Sequence, residues 1–275
     1  MHTIERRPDP RGLRLRGVFT ALSMPTGLDG SLDEAALRIL VRRQLAADVA
    51  GLIVPVSGAD HEGAASADDD RPLAVVVEMR DARTWRRRTA VVAGVSPRDT
   101  ADAIRATRRA AALGADAVLL AAPVCDMADP WTLDAHFRAV ADQGGLPIVV
   151  DNVPGLTGAN VDADTFLRLA KHPHVAGIRE ASGDLDQVAR VCRGRSTDVA
   201  VLAGDDTSAI AVLAMGGTGV VSVAANEVPA DVVALCTAGL DGDWRGARRL
   251  HERWLPLFLS RPDLVESSVS RAWAP

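Results

Sequence analysis

Eight short apolar runs recur along this 275-residue chain, each followed by a stretch whose apolar residues repeat at helical spacing. That alternation restricts the fold more than any other feature. The runs are Gly17 to Leu22, Gly51 to Val56, Thr89 to Val95, Ala117 to Ala122, Leu146 to Val150, Val175 to Arg179, Val199 to Ala203 and Gly219 to Val223. Apart from Thr20, Thr89, Ser222 and the closing Arg179, they are apolar at successive rather than alternate positions. Strands of that kind are covered on both faces, as in a parallel sheet flanked by helices. The intervening helices are expected over Ala35–Ala47, Leu73–Ala82, Asp99–Leu113, Trp131–Asp142, Ala163–Lys171, Leu185–Cys192 and Thr207–Met215. Two more follow at Ala230–Gly239 and Trp244–Leu257. Ser31, with Glu34 three residues on, reads as an N-cap and capping box, and Gly114 as a helix stop. Eight such units in a chain of this length predict one α/β domain over 1–275, a closed (β/α)8 TIM barrel with extra C-terminal helices. No GxGxxG follows the first run, which argues against an open dinucleotide-binding sheet. The ends, 1–13 and 264–275, lack periodicity and are expected to be disordered.

Charge and cysteine usage exclude several classes of function. The formal net charge is −5 and the arginines are spread along helices, so no nucleic-acid partner is expected. No apolar run reaches the roughly 18 residues of a membrane span, and Met1 to Arg16 has no apolar core of a signal peptide. A cytoplasmic location is expected. Cys125, Cys192 and Cys236 are far apart and form neither a disulfide framework nor a metal-ligand pattern. Asp60, His61 and Glu62 are chemically able to bind a divalent metal. Three adjacent loop residues cannot all face one ion, however, and a solvated loop is the better reading. No metal or cofactor is expected. His172, His174 and Lys171 precede the sixth strand, at the bottom of a barrel, where stability rather than catalysis is expected.

Four segments point to a family. They are Val175-Ala176-Gly177-Ile178-Arg179-Glu180-Ala181-Ser182-Gly183, Asp151-Asn152-Val153-Pro154-Gly155-Leu156-Thr157-Gly158, Gly204-Asp205-Asp206, and Gly216-Gly217-Thr218-Gly219-Val220-Val221-Ser222. In this order and spacing the chain resembles the dihydrodipicolinate synthase and N-acetylneuraminate lyase family over nearly its whole length. The resemblance implies lyase chemistry through a lysine Schiff base with a 2-oxo acid, and a homodimer or homotetramer. It also implies that Arg179 stands at the lysine position, Asp151 at a proton-relaying tyrosine, Leu156 at a substrate-facing arginine and Cys125 at a second tyrosine. Pro55-Val56-Ser57-Gly58-Ala59 aligns with a carboxylate-binding loop, with Ser57 keeping a hydroxyl and Glu62 a candidate for the loop's glutamate. Asp205 is implied at the substrate. The chain has a single lysine, Lys171. A guanidinium stays protonated and offers no amine lone pair, so Arg179 cannot form the imine.

Strands five and six are barrel neighbours, so Asp151 and Arg179 are expected side by side in a bidentate pair. Such a pair has two readings. It fills a hole with a satisfied ion pair, or Arg179 holds a ligand carboxylate while Asp151 is the acid or base. The arginine is expected to lower the aspartate's pKa and leave it a weak base near neutral pH. Cys125 reads as a small buried hydrophobe rather than a nucleophile. Backbone N–H groups at Ser57 and Gly58 suit a small carboxylate whatever the side chains. Two functions follow: a diverged lyase acting on a small oxo- or hydroxy-carboxylate without a Schiff base, or an inactive relative serving as a ligand-binding or protein-interaction module.

Overall fold

Burial on both faces is what makes strands of the apolar runs. β1 (Gly17–Ala21), β2 (Gly51–Val56), β3 (Ala90–Val95), β4 (Ala117–Ala121), β5 (Ile148–Asn152), β6 (Val175–Glu180), β7 (Ala200–Ala203) and β8 (Gly219–Ser222) each pair in parallel with their sequence neighbours. β8 returns to β1, so among the described residues eight strands close into a barrel, as the alternation predicts. The computed structural model describes residues 13–56, 70–82, 89–123 and 129–260.

The helices follow in turn: α1 (Glu34–Ala46), α2 (Arg71–Asp81), α3 (Thr100–Ala112), α4 (Pro130–Gln143), the short α5 (Pro154–Thr157), α6 (Ala163–Leu169), α7 (Leu185–Gly194), α8 (Ala209–Ala214), α9 (Pro229–Leu240) and α10 (Trp244–Leu259). Many open on an aspartate. Asp33, Asp99, Asp129, Asp162, Asp184 and Asp243 each accept a hydrogen bond from a first-turn N–H. Each such cap is worth about 1 kcal/mol over alanine. α1 departs from the expected start. Asp33 caps it, whereas the Ser31 hydroxyl bonds Asp29 in the preceding turn. The Ser31–Glu34 spacing imitates a capping box two residues too early, and Glu34 pairs with Arg38 and Arg71 instead. No helix among the described residues is long and apolar enough to cross a membrane.

Two apolar layers result. Phe19, Ile53, Val92, Leu119, Val149 and Leu202 fill the barrel. Leu37, Leu73, Phe137, Phe166 and Val201 belong to the larger layer between strands and helices. Fully burying one such side chain contributes about 1.5–3 kcal/mol. Leu13 packs against the inner layer. The rest of the two ends expected to be disordered, 1–12 and 264–275, lies outside the described residues.

Candidate active site at the barrel mouth

Asp151 and Arg179 are paired in register across β5 and β6, near the C-terminal ends of both strands. Side chains alternate along a strand. Asp151 shares the inward face with Val149, while Asn152 and Glu180 point outward toward the helices. The inward pair is in contact: Arg179 Nη1 donates to Asp151 Oδ1 and Oδ2, each at 3.2 Å. The pairing is not the expected fork on fork. One nitrogen bridges both carboxylate oxygens because the other edge of the guanidinium is taken. Nε and Nη2 both donate to the Gly204 carbonyl, at 3.3 and 2.9 Å. Glycine is required there by close approach. A Cβ at 204 would lie 2.6 Å from the Glu180 carbonyl oxygen and 2.6 Å from Ala181 Cα.

Both charged side chains are deeply placed, Asp151 6% exposed and Arg179 3%. Among the described residues Arg179 is the one hydrogen-bond donor to Asp151. Burial raises the Asp151 pKa above the ordinary carboxylate value. Arg179 pulls it down and the neighbouring Glu180 charge pushes it up, with a net rise. The expected depression is therefore reversed: removing the carboxylate from water outweighs a single partner at 3.2 Å.

Behind the pair lies a second polar cluster. Asn152 Nδ2 donates to both Glu180 oxygens at 3.0 and 3.2 Å and to Asn160 Oδ1 at 2.9 Å. Gln187 Nε2 donates to Glu180 Oε2 at 2.9 Å, and the Ser182 backbone N–H to Oε1 at 2.9 Å. Asn152 Oδ1 accepts from the Val161 backbone N–H at 2.9 Å. This cluster ties β5, β6 and α7 together and fixes the strand ends that carry Asp151 and Arg179.

Height in the barrel follows from register. The strands tilt, and a level line advances about one residue per strand. From Ala21 the hydrogen-bonded neighbours run to Ile53, Val92 and Ala117, descending the barrel. Level with Ala21 on alternate strands are therefore Gly94 and Asp151. This mouth layer sits above the bulkier Phe19, Val92 and Val149. Ala21, Gly94 and Pro55 are each only partly buried.

The remaining candidates have surroundings of their own. The Asp205 carboxylate accepts from the Ser208 backbone N–H and hydroxyl, each at 2.7 Å, and from the Thr207 hydroxyl. Asp206 is buried and accepts from the N–H groups of Val223 and Ala224 at 3.1 and 2.9 Å, joining the ends of β7 and β8. Leu156 is half-buried on α5. Ser57, Gly58, Asp60, His61, Glu62 and Cys125 lie outside the described residues. His172 bonds Asp142 at 2.9 Å and His174 the Ala141 carbonyl at 2.8 Å, just before β6 and with Lys171 at the opposite end of the barrel. Cys192 and Cys236 are free thiols, and burial pushes Cys236 up to about 12. Among the described residues no group of three or more His, Cys, Asp or Glu could hold a metal ion. Two positions escaped the sequence reading. Gly204 carries no sequence signal of its own, because its role is made by a backbone carbonyl beside the carboxylates Asp205 and Asp206. Gly94 carried a signal, since a glycine inside a strand marks close approach of backbone or ligand.

Comparison with known proteins gives a consistent result. Residues 14–264 match the model of the Dihydrodipicolinate synthetase family. The 4-hydroxy-tetrahydrodipicolinate synthase of Koribacter versatilis is 38% identical over 248 residues, covering 90% of this chain and 81% of the relative. That of Xanthomonas axonopodis pv. citri is 41% identical over 230 residues, covering 84% and 74%. Among solved structures, the 4-hydroxy-tetrahydrodipicolinate synthase of Methylacidiphilum fumariolicum SolV superposes with a TM-score of 0.83 at 30% identity, covering 94% of this chain and 86% of its own. The Acinetobacter baumannii dihydrodipicolinate synthase, solved with pyruvate, gives a TM-score of 0.80 at 25% identity, covering 94% and 89%.

Proposed function

Because the chain belongs to the dihydrodipicolinate synthetase family of lyases, we propose that it is a lysine-independent member, acting on a small oxo- or hydroxy-carboxylate held without a Schiff base against the Asp151–Arg179 pair. The observation that carries this reading is the deep placement of the Asp151 carboxylate with Arg179 as its one hydrogen-bond donor among the described residues. Arg179 contributes a fixed positive charge for a ligand carboxylate, its orientation set by the Gly204 carbonyl. Asp151, raised by burial, exchanges protons nearer to neutral pH than an ordinary aspartate does. Lys171 offers no replacement amine, since it precedes β6 at the far end of the barrel. Ser57 and Gly58 are proposed to add backbone N–H donors and Cys125 and Leu156 to line the pocket, as the resemblance implies. A homodimer or homotetramer is proposed on the same ground.

The test is borohydride trapping with pyruvate followed by intact mass and peptide mapping. No stoichiometric adduct is expected. A specific adduct at the barrel mouth would refute the reading. A second reading, a non-catalytic member, is favoured by the burial of both charged side chains against each other. A screen of small carboxylates by thermal shift separates the two, because a ligand at 100 times its Kd adds about 2.7 kcal/mol to stability.

A further inference from the structure

The mouth leaves two hydrogen-bonding capacities unused, and they are complementary to one class of ligand. A carboxylate has about four lone-pair sites, and a guanidinium five N–H donors. Among the described residues the Asp151 oxygens receive only Nη1 of Arg179. Arg179 gives Nε and one N–H of Nη2 to Gly204, and its other Nη2 N–H has no protein acceptor among the described residues. An acceptor on Asp151 and a donor on Arg179 thus lie side by side.

Gly94 adds an independent observation. It shares the mouth layer with Asp151, yet no neighbour among the described residues demands a glycine there. A Cβ at 94 would meet Ile53 Cγ2 at 3.5 Å and Pro55 Cα at 3.7 Å, ordinary contact distances, and its φ is not in the left-handed region. Glycine inside a strand is destabilising unless something approaches closely. Ala21, level with it on β1, is also small, and both are only partly buried.

We propose that these small residues leave a shallow cup beside the pair, which takes a 2-hydroxy-carboxylate in preference to the matching 2-oxo-carboxylate, the hydroxyl donating to Asp151 and the ligand carboxylate accepting from Nη2 of Arg179. The inference rests on the reading that the mouth binds a small carboxylate without a Schiff base, and it narrows the ligand within that reading. A hydroxyl supplies the donor that Asp151 lacks. An oxo group at the same place sets acceptor against acceptor. Hydrogen bonds to charged groups are strong enough to make this preference tenfold or more.

The experiment compares both enantiomers of 2-hydroxypropanoate with 2-oxopropanoate by ligand-observed NMR titration and thermal shift. It uses the full chain, Gly94→Ala and Asp151→Asn. The wild-type protein is expected to bind one hydroxy enantiomer at least about tenfold more tightly than the oxo acid. Gly94→Ala is expected to keep or raise Tm while weakening that binding severalfold, because the added methyl fills the cup without a clash. Asp151→Asn is expected to erase or invert the preference, since a carboxamide N–H can donate to an oxo group. Equal or tighter binding of the oxo acid overturns the preference and leaves the Schiff-base-free reading intact. Unchanged hydroxy-acid binding in Gly94→Ala overturns the placement of the ligand. If neither acid binds, both this inference and the small-carboxylate reading fall. A borohydride adduct with 2-oxopropanoate at the mouth overturns the underlying reading, and this inference with it.

Discussion

Removing Arg179 is expected to cost more than removing Arg179 and Asp151 together. In the native chain the two are buried at 3% and 6% exposure, and Asp151 has no other donor among the described residues. Arg179→Met leaves an unpaired carboxylate in the barrel, and breaking a buried pair from one side costs about 3–5 kcal/mol. The Gly204 carbonyl also loses both of its Arg179 donors. Adding Asp151→Leu removes the stranded charge and restores apolar volume. The double variant should return to within about 1–2 kcal/mol of wild type, or exceed it. For a chain of this size 1 kcal/mol moves Tm by about 2–4 °C, so the single variant should melt roughly 6–20 °C lower. Urea unfolding of wild type, both single variants and the double at pH 7 closes the cycle. The Arg179→Met loss should also shrink on acidification. With its cation gone, Asp151 has a folded-state pKa still further above its unfolded value, so the folded chain binds the proton more readily. Stability is then lost as pH rises through that folded pKa and regained below it. Equal losses in the single and double variants, with no pH dependence, would refute the claim that the pair is held by mutual charge compensation.

Arg179→Lys should not give imine chemistry: aldol cleavage or condensation with pyruvate should stay far below roughly 1 per second, and stability should fall by about 1–3 kcal/mol in urea unfolding, since a single ammonium replaces a guanidinium that donates from separate nitrogens to Asp151 and Gly204. His136, 5% exposed, is lowered to about 4 by burial. Its folded pKa lies below its unfolded one, so its contribution is full above about pH 6.5 and lost as pH falls toward 4; urea unfolding at pH 7 and 5 should show about 2 kcal/mol of acid loss that His136→Leu abolishes. Glu180→Gln places an NH2 against the donors Asn152, Gln187 and the Ser182 N–H, and calorimetry should show a loss of about 1–3 kcal/mol.

Most of the barrel was legible in the chain, because apolar runs buried on both faces and helical spacing are local signals. Strand boundaries were placed within a few residues. The β5 end was read at Val150 and runs to Asn152, since a polar strand end at a barrel mouth looks like a loop. The adjacency of Asp151 and Arg179 follows from strand order together with the family resemblance, in which the matching positions share one pocket. Three things do not. Which edge of the guanidinium faces the aspartate depends on Gly204, a residue 25 positions away in sequence whose backbone is the partner. The net direction of the Asp151 shift depends on depth, which spacing does not encode. The Asn152–Glu180–Gln187 cluster needs the β5–β6 register and the packing of α7 on it, both tertiary facts.

Asp151 and Asn152 are consecutive, as are Arg179 and Glu180, yet the members of each couple live in separate surroundings. One looks into the barrel mouth and the other toward the helices. A strand thus carries two inheritances on one thread of backbone. Drift on the inward side can rewrite the reacting groups while the outward side continues to hold β5, β6 and α7 in place. A lineage built this way does not need to lose its architecture to change its chemistry, or its chemistry to keep its architecture.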